Sequence, residues 1–151
     1  MVDRKAMNVA FAYLTTRART ESEIRGRLAS RSFSPEVIDS VLQKLHEYGY
    51  VDDQRYAQQF AQENAGRISS RMISNKLRQR GISRQLIEQI DTDEARNFEA
   101  ALTYAKKAIG KIHDEDNRKR RHRLTQRLLY RGFDYDTAAR VWDRLNDDNE
   151  P

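Results

Sequence analysis

The side chains most suited to catalysis are sparse in this 151-residue sequence and are not grouped. Asp52 and Asp53 form an adjacent carboxylate pair, but they follow Gly49, a residue that commonly ends a helix. The pair is therefore better explained as a cap for the next helix, whose positive end it favours. Adjacent helical residues also point in different directions, which is unfavourable for joint metal binding. The histidines are far apart and lie in no metal-binding motif: His46, His113 and His122.

Other sequence signals of catalysis are absent as well. The chain has no cysteine, which excludes a disulfide scaffold, a thiol nucleophile and a thiolate metal site. It contains no H-E-x-x-H motif, no glycine-rich phosphate loop and no G-x-S-x-G motif. The sequence therefore predicts no catalytic residue, no cofactor site, no metal site and no enzymatic activity.

Basic residues, in contrast, are concentrated in three segments that contain no acid: 24–31, 71–87 and 118–131. The net charge is only +5 because acids in the segments that follow, such as Glu36, Glu88 and Asp143, offset them. Cations presented on one surface bind phosphates or an acidic protein groove. The candidate residues for binding a nucleic acid or an acidic protein groove are Arg27, Arg31, Lys76, Arg80, Arg118, Lys119, Arg120, Arg121, Arg123, Arg127 and Arg131.

A structural role competes with binding at these positions. A cation in the last turn of a helix is stabilised by the helix dipole, by about 0.3–1 kcal/mol, and can pair with nearby acids. Both interpretations stay open for Arg27, Arg31, Lys76 and Arg80. In the segment 118–131 the cations crowd over adjacent turns, which is unfavourable without a counter-charge. Binding is therefore favoured there over a solvated face or a nuclear-import signal.

The basic segments belong to a unit that occurs three times, at intervals of about 50 residues. Each copy has two aliphatic residues four positions apart, which lie on one face of a helix. A turn follows, and then a polar residue that can cap a new helix. The aliphatic pairs are Ile24 with Leu28, Ile73 with Leu77, and Leu124 with Leu128; the caps are Ser34, Ser83 and Asp134.

The turn and the helix starts are also predicted by residue type. Gly81 and Gly132 occupy the place where a helix ends in a left-handed conformation, which glycine adopts without penalty. Ser32 occupies this position in the first copy and should make the left-handed turn there energetically less favourable. We predict that Thr20, with Glu23 in a capping box, and Ser69 begin the middle helices. We expect aromatic residues to pack in the core or between units, not to stack on bases: Tyr48, Tyr50, Tyr56, Phe60 and Trp142.

A further helix precedes each of these helix pairs, and no segment shows the period-two pattern of a sheet. The predicted fold is all-α, with three tandem three-helix repeats forming an elongated, curved array. We place the repeats at 6–48, 49–91 and 92–146, followed by a frayed acidic tail at 147–151. The charged N-terminus lacks an apolar stretch of signal-peptide length, and no window has the roughly 20 apolar residues that span a bilayer. We therefore expect a cytoplasmic protein without membrane contact.

The sequence resembles the RecX family. Residues 49–57 read G-Y-V-D-D-Q-R-Y-A, similar to the family segment G-Y-[LIV]-[DN]-[DE]-x-x-[FY]-A. The middle-helix pattern ending R-G-[FI]-[SD] is similar too, as is the opening Ser22-Glu23-x-x-x-Arg27-Leu28. The resemblance covers residues 6–145. Each three-helix repeat alone is a weak signal, but three copies in order, together with the Asp-Asp segment, make a specific one.

The resemblance implies a function that the composition does not show. RecX proteins bind the RecA recombinase filament on DNA. They inhibit recombinase, ATPase and co-protease activities, and so modulate DNA repair and the SOS response without being enzymes. We accordingly expect a monomer without cofactors that binds a RecA filament and makes weak contact with single- or double-stranded DNA. The shared motifs are largely structural, so the site residues above rest on charge.

Two other functions stay open. The middle helix, turn and third helix of each repeat resemble a DNA-binding helix-turn-helix, but the would-be recognition helices are the acidic ones. The repeats also suit a general protein-interaction scaffold with no link to nucleic acids. Sequence-specific binding to a duplex would favour the first alternative, and indifference to a recombinase filament would favour the second.

Overall fold

The computed structural model describes residues 2–90 and 94–149, in which every ordered element is a helix and no strand occurs. In this part of the chain the helices are α1 (Arg4–Leu14), α2 (Glu21–Ser30), α3 (Pro35–Glu47), α4 (Asp53–Asn64), α5 (Ser70–Gln79), α6 (Arg84–Glu88), α7 (Glu94–Ile109), α8 (Asn117–Tyr130) and α9 (Tyr135–Asn149). Three helices fall in each predicted repeat, which confirms the all-α, three-repeat fold. The predicted boundary at residues 91 and 92 lies outside the described residues.

The predicted N-caps all act as such. Thr20 accepts a hydrogen bond from the backbone N of Glu23, whose side chain accepts one from the Thr20 N, completing the capping box. The other predicted caps each accept a bond from the backbone N three residues later: Ser34, Ser69, Ser83 and Asp134. The bond from Thr137 N lowers the pKa of the Asp134 carboxyl, because it stabilises the charged form. Asp52 caps α4 in the same way, through Arg55 N.

The turn after each middle helix is left-handed, as predicted. Gly81 has a φ of +82° and Gly132 a φ of +94°. Ser32 takes the same conformation, with a φ of +67°, although a residue with a Cβ is strained there. The backbone N of the next residue then bonds the carbonyl of the buried leucine, at 3.2, 3.1 and 3.0 Å for Phe33, Ile82 and Phe133.

The chain divides into two compact units. Among the described residues, unit 1 comprises 2–60 and 76–90, and unit 2 comprises 61–75 and 94–149. The core of unit 1 includes the predicted aliphatic pair and is formed by Ala6, Ala10, Ile24, Leu28, Ile38, Val41, Leu42, Leu45 and Val51. The core of unit 2 includes the predicted core residue Trp142 and is formed by Ala101, Leu102, Ala105, Ala108, Ile112, Leu124, Leu128, Phe133, Ala138, Val141, Trp142 and Leu145.

Unit 1 contains a polar junction between consecutive repeats. The buried hydroxyl of Thr20, at the start of α2, donates a hydrogen bond to the carbonyl of Arg80 at 2.7 Å. The next backbone N, that of Glu21, donates to Asp53 Oδ1 at 2.9 Å. The start of α2 is thereby held both by the end of α5 and by the first residue of α4.

Unit 2 contains a junction of the same design. Ser69, at the start of α5, donates its backbone N–H to the carbonyl of Arg131 at 2.9 Å. The next backbone N, that of Ser70, donates to Asn97 Oδ1 at 3.0 Å. Asn97 and Asp53 both lie four residues before a buried alanine, so they occupy equivalent positions in their repeats.

The two turn glycines lie inside these junctions. A Cβ on Gly81 would stand 2.2 Å from Ser22 Cβ, and one on Gly132 would stand 2.5 Å from Ser69 Oγ. At Arg31, in contrast, no described residue donates a hydrogen bond to the carbonyl. A side chain is therefore accommodated at Ser32, where only the backbone conformation is unfavourable.

Two expectations differ from the structure. Tyr48 and Tyr50 were expected to be packed, but this prediction was wrong because they flank the left-handed Gly49 outside the helices and are 60% and 56% exposed. Residues 147–149, assigned to the frayed tail, continue α9. An ion pair of 3.6 Å from Arg144 to Asp148 supports this last turn. The rest of the predicted tail, residues 150 and 151, lies outside the described residues.

Candidate anion-binding surfaces

The exposed side of α8 carries a row of cations. Its buried side is set by Leu124 and Leu128, which pack into the core of unit 2. Lys119, Arg123 and Arg127 are exposed and lie four residues apart, so their side chains leave the same face of the helix. We call these three residues the α8 row. It presents positive charge along most of the helix length.

Few acids neutralise the basic residues of α8. Arg123 pairs with Asp114 at 3.7 Å. No described acid forms an ion pair with the other basic residues of the helix: Arg118, Lys119, Arg120, Arg121 and Arg127. Of these, Arg120 is half-buried and the rest are exposed. Like charges at this spacing repel one another, so an anion bound along the helix would relieve an existing repulsion.

A shallow cavity and an exposed aromatic ring lie at opposite ends of α8. The cavity, of about 360 Å³, is lined by Asp116, Arg118, Lys119, His122 and Arg123. Tyr130, in the last turn, is 83% exposed and stands three residues after Arg127. Cations followed by an exposed ring can bind phosphates and stack on a base.

In the first repeat, cations gather around one aromatic ring. The guanidinium of Arg19, in the loop before α2, lies 3.8 Å from the centre of the Tyr13 ring. The guanidinium of Arg27 lies 5.2 Å from the same centre. Arg31 lines a cavity together with Tyr13, Arg19 and Arg27. Arg27 and Arg31 are thus brought together, with Arg19 as a third cation.

The corresponding arginines of the second and third repeats are engaged within the protein. Arg80 lies 4.6 Å from the Phe60 ring centre and donates a hydrogen bond to the Tyr56 hydroxyl. Arg131 lies 5.1 Å from the Tyr104 ring centre, and its Nε is buried without a hydrogen-bond partner among the described atoms. Both are half-buried. These contacts support the structural interpretation of Arg80 and Arg131.

Lys76, the remaining candidate, is exposed on α5 and forms no ion pair with a described acid. Arg25 of α2 pairs with one acid of the third helix, Asp39 at 2.8 Å, and with one acid of its own helix, Glu21 at 3.5 Å. The hydrogen bond to Asp39 raises the pKa of the Arg25 guanidinium. Arg27, Arg31 and Lys76, in contrast, form no ion pair with a described acid.

The Asp52–Asp53 pair is engaged at two helix starts. Asp52 caps α4, and Asp53 belongs to the junction of unit 1. Partial burial raises the pKa of Asp53, although the bond from Glu21 N opposes this shift. Across residues 2–90 and 94–149, no three histidine or acidic side chains are placed to hold a metal ion. Within the same ranges, no helix has the length and apolar character needed to cross a membrane.

Sequence reasoning did not identify Tyr13 and Arg19 as partners of Arg27. A signal for the ring exists, because each first helix has an aromatic residue three positions after a buried alanine: Ala10 and Tyr13, Ala57 and Phe60, Ala101 and Tyr104. This pattern marks the ring that faces the middle helix in each repeat. No comparable pattern marks Arg19, since it lies in a loop whose length differs between repeats.

Models of protein families match most of this chain. The RecX first three-helix domain matches residues 6–45, the second matches 52–90 and the third matches 94–142. These ranges follow the three groups of helices described above. The family is one of regulatory proteins and not of enzymes.

Individual proteins that are similar in sequence are also regulatory proteins of this family. The regulatory protein RecX of Clostridioides difficile is 31% identical over 145 residues, which cover 93% of this chain and 68% of that protein. The regulatory protein RecX of Prosthecochloris aestuarii is 32% identical over 146 residues, covering 94% of each chain.

Solved structures show the same fold. The crystal structure of RecX from Lactobacillus salivarius superposes with a TM-score of 0.73 at 24% identity, over 94% of this chain and 95% of that one. A crystal structure of regulatory protein RecX gives a TM-score of 0.71 at 26% identity, over 92% and 72% of the two chains. Matched along nearly all of its sequence and in all three repeats, this chain belongs to the RecX family of regulatory proteins.

Proposed function

We propose that this protein binds the RecA recombinase filament on DNA and inhibits its recombinase, ATPase and co-protease activities, modulating DNA repair and the SOS response. The observation that carries this proposal, beside membership of a regulatory family, is the α8 row together with the neighbouring basic residues of α8, which form no ion pair with a described acid. A surface of this kind suits a polyanionic filament, since phosphates and acidic protein faces both attract clustered cations.

In this proposal the contacts are several and individually weak. The binding residues are the exposed candidates Arg27, Arg31 and Lys76 together with the basic residues of α8, whereas Arg80 and Arg131 mainly hold the scaffold. Linked weak contacts multiply through effective concentration, so a modest affinity at each is sufficient. Occupation of the filament then blocks addition of recombinase protomers or access of homologous DNA.

The test is the rate of DNA-dependent ATP hydrolysis by the matched RecA as this protein is added, at low and high salt. We compare the wild type with a triple charge reversal of the α8 row, Lys119→Glu, Arg123→Glu and Arg127→Glu. The control reverses three exposed lysines in and after the last turn of α7, Lys106→Glu, Lys107→Glu and Lys111→Glu, which changes the net charge of unit 2 equally.

We expect substoichiometric inhibition by the wild type that weakens steeply with salt. The α8 variant should need about a hundredfold more protein, because each lost phosphate or carboxylate contact is worth about 1 kcal/mol. The α7 control should stay close to the wild type. If the α8 variant inhibits RecA as strongly as the wild type does, the proposed function stands and the α8 row is rejected as its site. Absence of inhibition by a folded wild-type protein would reject the function itself.

A second candidate function is nucleic-acid binding without a recombinase. It is favoured by the exposed Tyr130 beside the α8 row, an arrangement that suits a single strand. Binding of the wild type and the α8 variant to a thymidine oligonucleotide, measured by anisotropy across salt concentrations, separates the two. Inhibition of RecA that requires no DNA affinity would exclude this candidate. Strong DNA binding without an effect on RecA would favour it, and indifference to both would favour a general scaffold.

A further inference from the structure

A cavity of about 430 Å³ lies between α1 and α2 in unit 1. Its wall carries three guanidinium groups, those of Arg19, Arg27 and Arg31, and no carboxylate lines it. We call this cavity the Tyr13 pocket, after the ring at its centre. Three cations around a concave surface without an acid create a strong local attraction for an anion.

One of the three cations is fixed in place. Arg19 donates from Nε to the carbonyl of Tyr13 at 3.2 Å and from its terminal nitrogen to Thr16 Oγ1 at 2.8 Å. Its guanidinium also lies over the Tyr13 ring. This side chain is therefore ordered before any ligand arrives, and the entropy lost on binding falls accordingly.

The other two cations are available to a ligand. Arg27 and Arg31 are exposed, and neither forms an ion pair with a described acid. Arg31 differs here from its equivalents, because Arg80 and Arg131 each cover an aromatic ring whereas Arg31 has no described ring contact. In the first repeat Arg19 covers the ring instead, and Arg31 is left exposed at the edge of the pocket.

The remaining lining consists of the apolar side chains of Val9 and Ala12, with the polar side chains of Asn8 and Thr16 beside them. We propose that the Tyr13 pocket binds an acidic peptide segment, in which an aspartate or glutamate side chain stands next to an apolar one. The carboxylate lies between Arg27 and Arg31, whose planar forks match it with two parallel hydrogen bonds. The apolar side chain covers Val9 and Ala12.

A peptide fits this pocket better than a nucleic-acid strand does. A strand presents phosphates at regular intervals and suits a row of cations on an exposed helix, such as the α8 row, more than a single concave cluster. Base stacking on Tyr13 is also hindered, because Arg19 already covers the ring at 3.8 Å. The inference rests on the proposed function in one respect: the acidic segment is taken to belong to the recombinase.

The test uses the full chain and a short peptide of alternating aspartate and leucine as the probe. A peptide with asparagine in place of aspartate and a thymidine oligonucleotide of the same length are the comparison ligands. Binding is followed by the arginine Nε–H signals in ¹H–¹⁵N spectra and by anisotropy. The variant is Arg27→Ala with Arg31→Ala, and its control, Arg4→Ala with Arg84→Ala, removes two exposed charges of unit 1 outside the pocket.

We expect the aspartate peptide to shift the signals of Arg19, Arg27 and Arg31 and the asparagine peptide to leave them unchanged. The pocket variant should bind the aspartate peptide about tenfold more weakly, because it loses two charge-assisted hydrogen bonds, and the control should bind as the wild type does. Both arginines are exposed, so we expect the pocket variant to fold as the wild type does, and far-UV circular dichroism checks this directly. Arg31→Glu offers a second variant that should bind still more weakly.

Two results would overturn the inference: equal peptide affinity in the wild type and the pocket variant, or tighter binding of the oligonucleotide than of the aspartate peptide at these signals. Neither result bears on inhibition of RecA, so each would reject the Tyr13 pocket as a peptide site while the proposed function stands. Conversely, peptide binding at the pocket by a protein that does not inhibit RecA would retain the pocket and reject the proposed function.

Discussion

The two junctions between repeats each hold the start of a middle helix, but they do so with different atoms. In both, the backbone N–H of the first residue in a middle helix bonds a side-chain oxygen from the next repeat's first helix, Asp53 in unit 1 and Asn97 in unit 2. The preceding residue bonds the carbonyl before the turn glycine. Thr20 does this with its hydroxyl, and Ser69 does it with its backbone N–H.

The comparison shows which features of the repeat are needed for packing and which are free to vary. The turn glycines are closely approached in both junctions, so their position is fixed by tertiary contact as well as by backbone conformation. The oxygen that meets the start of the helix needs only to accept a hydrogen bond, so a carboxylate and an amide both serve. The consequence is that one junction contains a titratable charge and the other does not.

The largest effect is expected at the turn glycine of unit 1. Gly81→Ala should lower the free energy of unfolding by about 3 kcal/mol, since the new Cβ meets Ser22 and the left-handed conformation is strained. Gly49→Ala, at a φ of +75° with no atom within 4 Å of the new Cβ, should cost about 1 kcal/mol. Urea denaturation measures both, and equal losses would show that backbone conformation alone requires Gly81.

The next effect distinguishes the two helix starts. Thr20→Val removes both the cap of α2 and the bond to the Arg80 carbonyl, so we expect a loss of about 2–3 kcal/mol. Ser69→Ala removes only the cap, because the bond to Arg131 uses the backbone, and should cost about 1 kcal/mol. Hydrogen exchange of the α2 and α5 amides would locate each loss. Greater destabilisation by Ser69→Ala would contradict the assigned difference between the junctions.

A smaller effect, of opposite sign, is expected at the turn that no junction covers. Ser32→Gly should raise the free energy of unfolding by about 1 kcal/mol, because it relieves a positive φ without losing a described contact of the side chain. The reciprocal change in unit 2, Gly132→Ser, should destabilise, since its Cβ would lie 2.5 Å from Ser69 Oγ. Thermal and urea unfolding of both variants test the contrast, and a loss of stability in Ser32→Gly would refute it.

The smallest effect concerns pH. The folded-state pKa of Asp53 is raised above its unfolded value, so its contribution favours folding at low pH and is lost as pH rises through the folded pKa. Asp53→Asn keeps an acceptor for Glu21 N, so relative to the wild type it should gain stability as pH rises from about 3 to 6. The gain should stay below about 1 kcal/mol, because the carboxyl is only partly buried and faces both Glu21 and His46.

The reciprocal variant sharpens this test. Asn97→Asp places a carboxylate in the junction of unit 2 and should lose stability over the same rise in pH. Urea titrations at several pH values measure both variants. Parallel pH profiles for Asp53→Asn and the wild type would show that the charge of Asp53 carries no penalty in the junction.

Much of the fold was predictable because it depends on local signals. The caps at Thr20, Ser34 and Ser83 follow from residue type, since a side-chain oxygen at that position satisfies a helix N–H within the same turn. The glycine turns follow from the conformation that ends a helix. The aliphatic positions follow from the helical period, and each of the six paired residues is buried.

The candidate surfaces were predictable only in part. Charge placement along the sequence identified the basic residues of α8, because a helix face follows directly from four-residue spacing. It did not separate the exposed Arg31 from Arg80 and Arg131, which cover rings of a different helix. Nor did it separate the exposed Tyr48 and Tyr50 from the buried aromatic residues Phe133 and Trp142, since burial depends on the packing of other helices around each ring.

The sequence by itself determined the repeat, the ends of its helices and the face that each helix buries, because these depend on interactions within a few residues. The tertiary structure alone decided that Asp53 and Asn97 contact the middle helix of the preceding repeat, that the turn glycines are closely approached, and that Arg19 joins Arg27 at Tyr13. These contacts bring together residues from different helices or repeats. Their distances are set by the packing of whole helices, which no local pattern of residue types records.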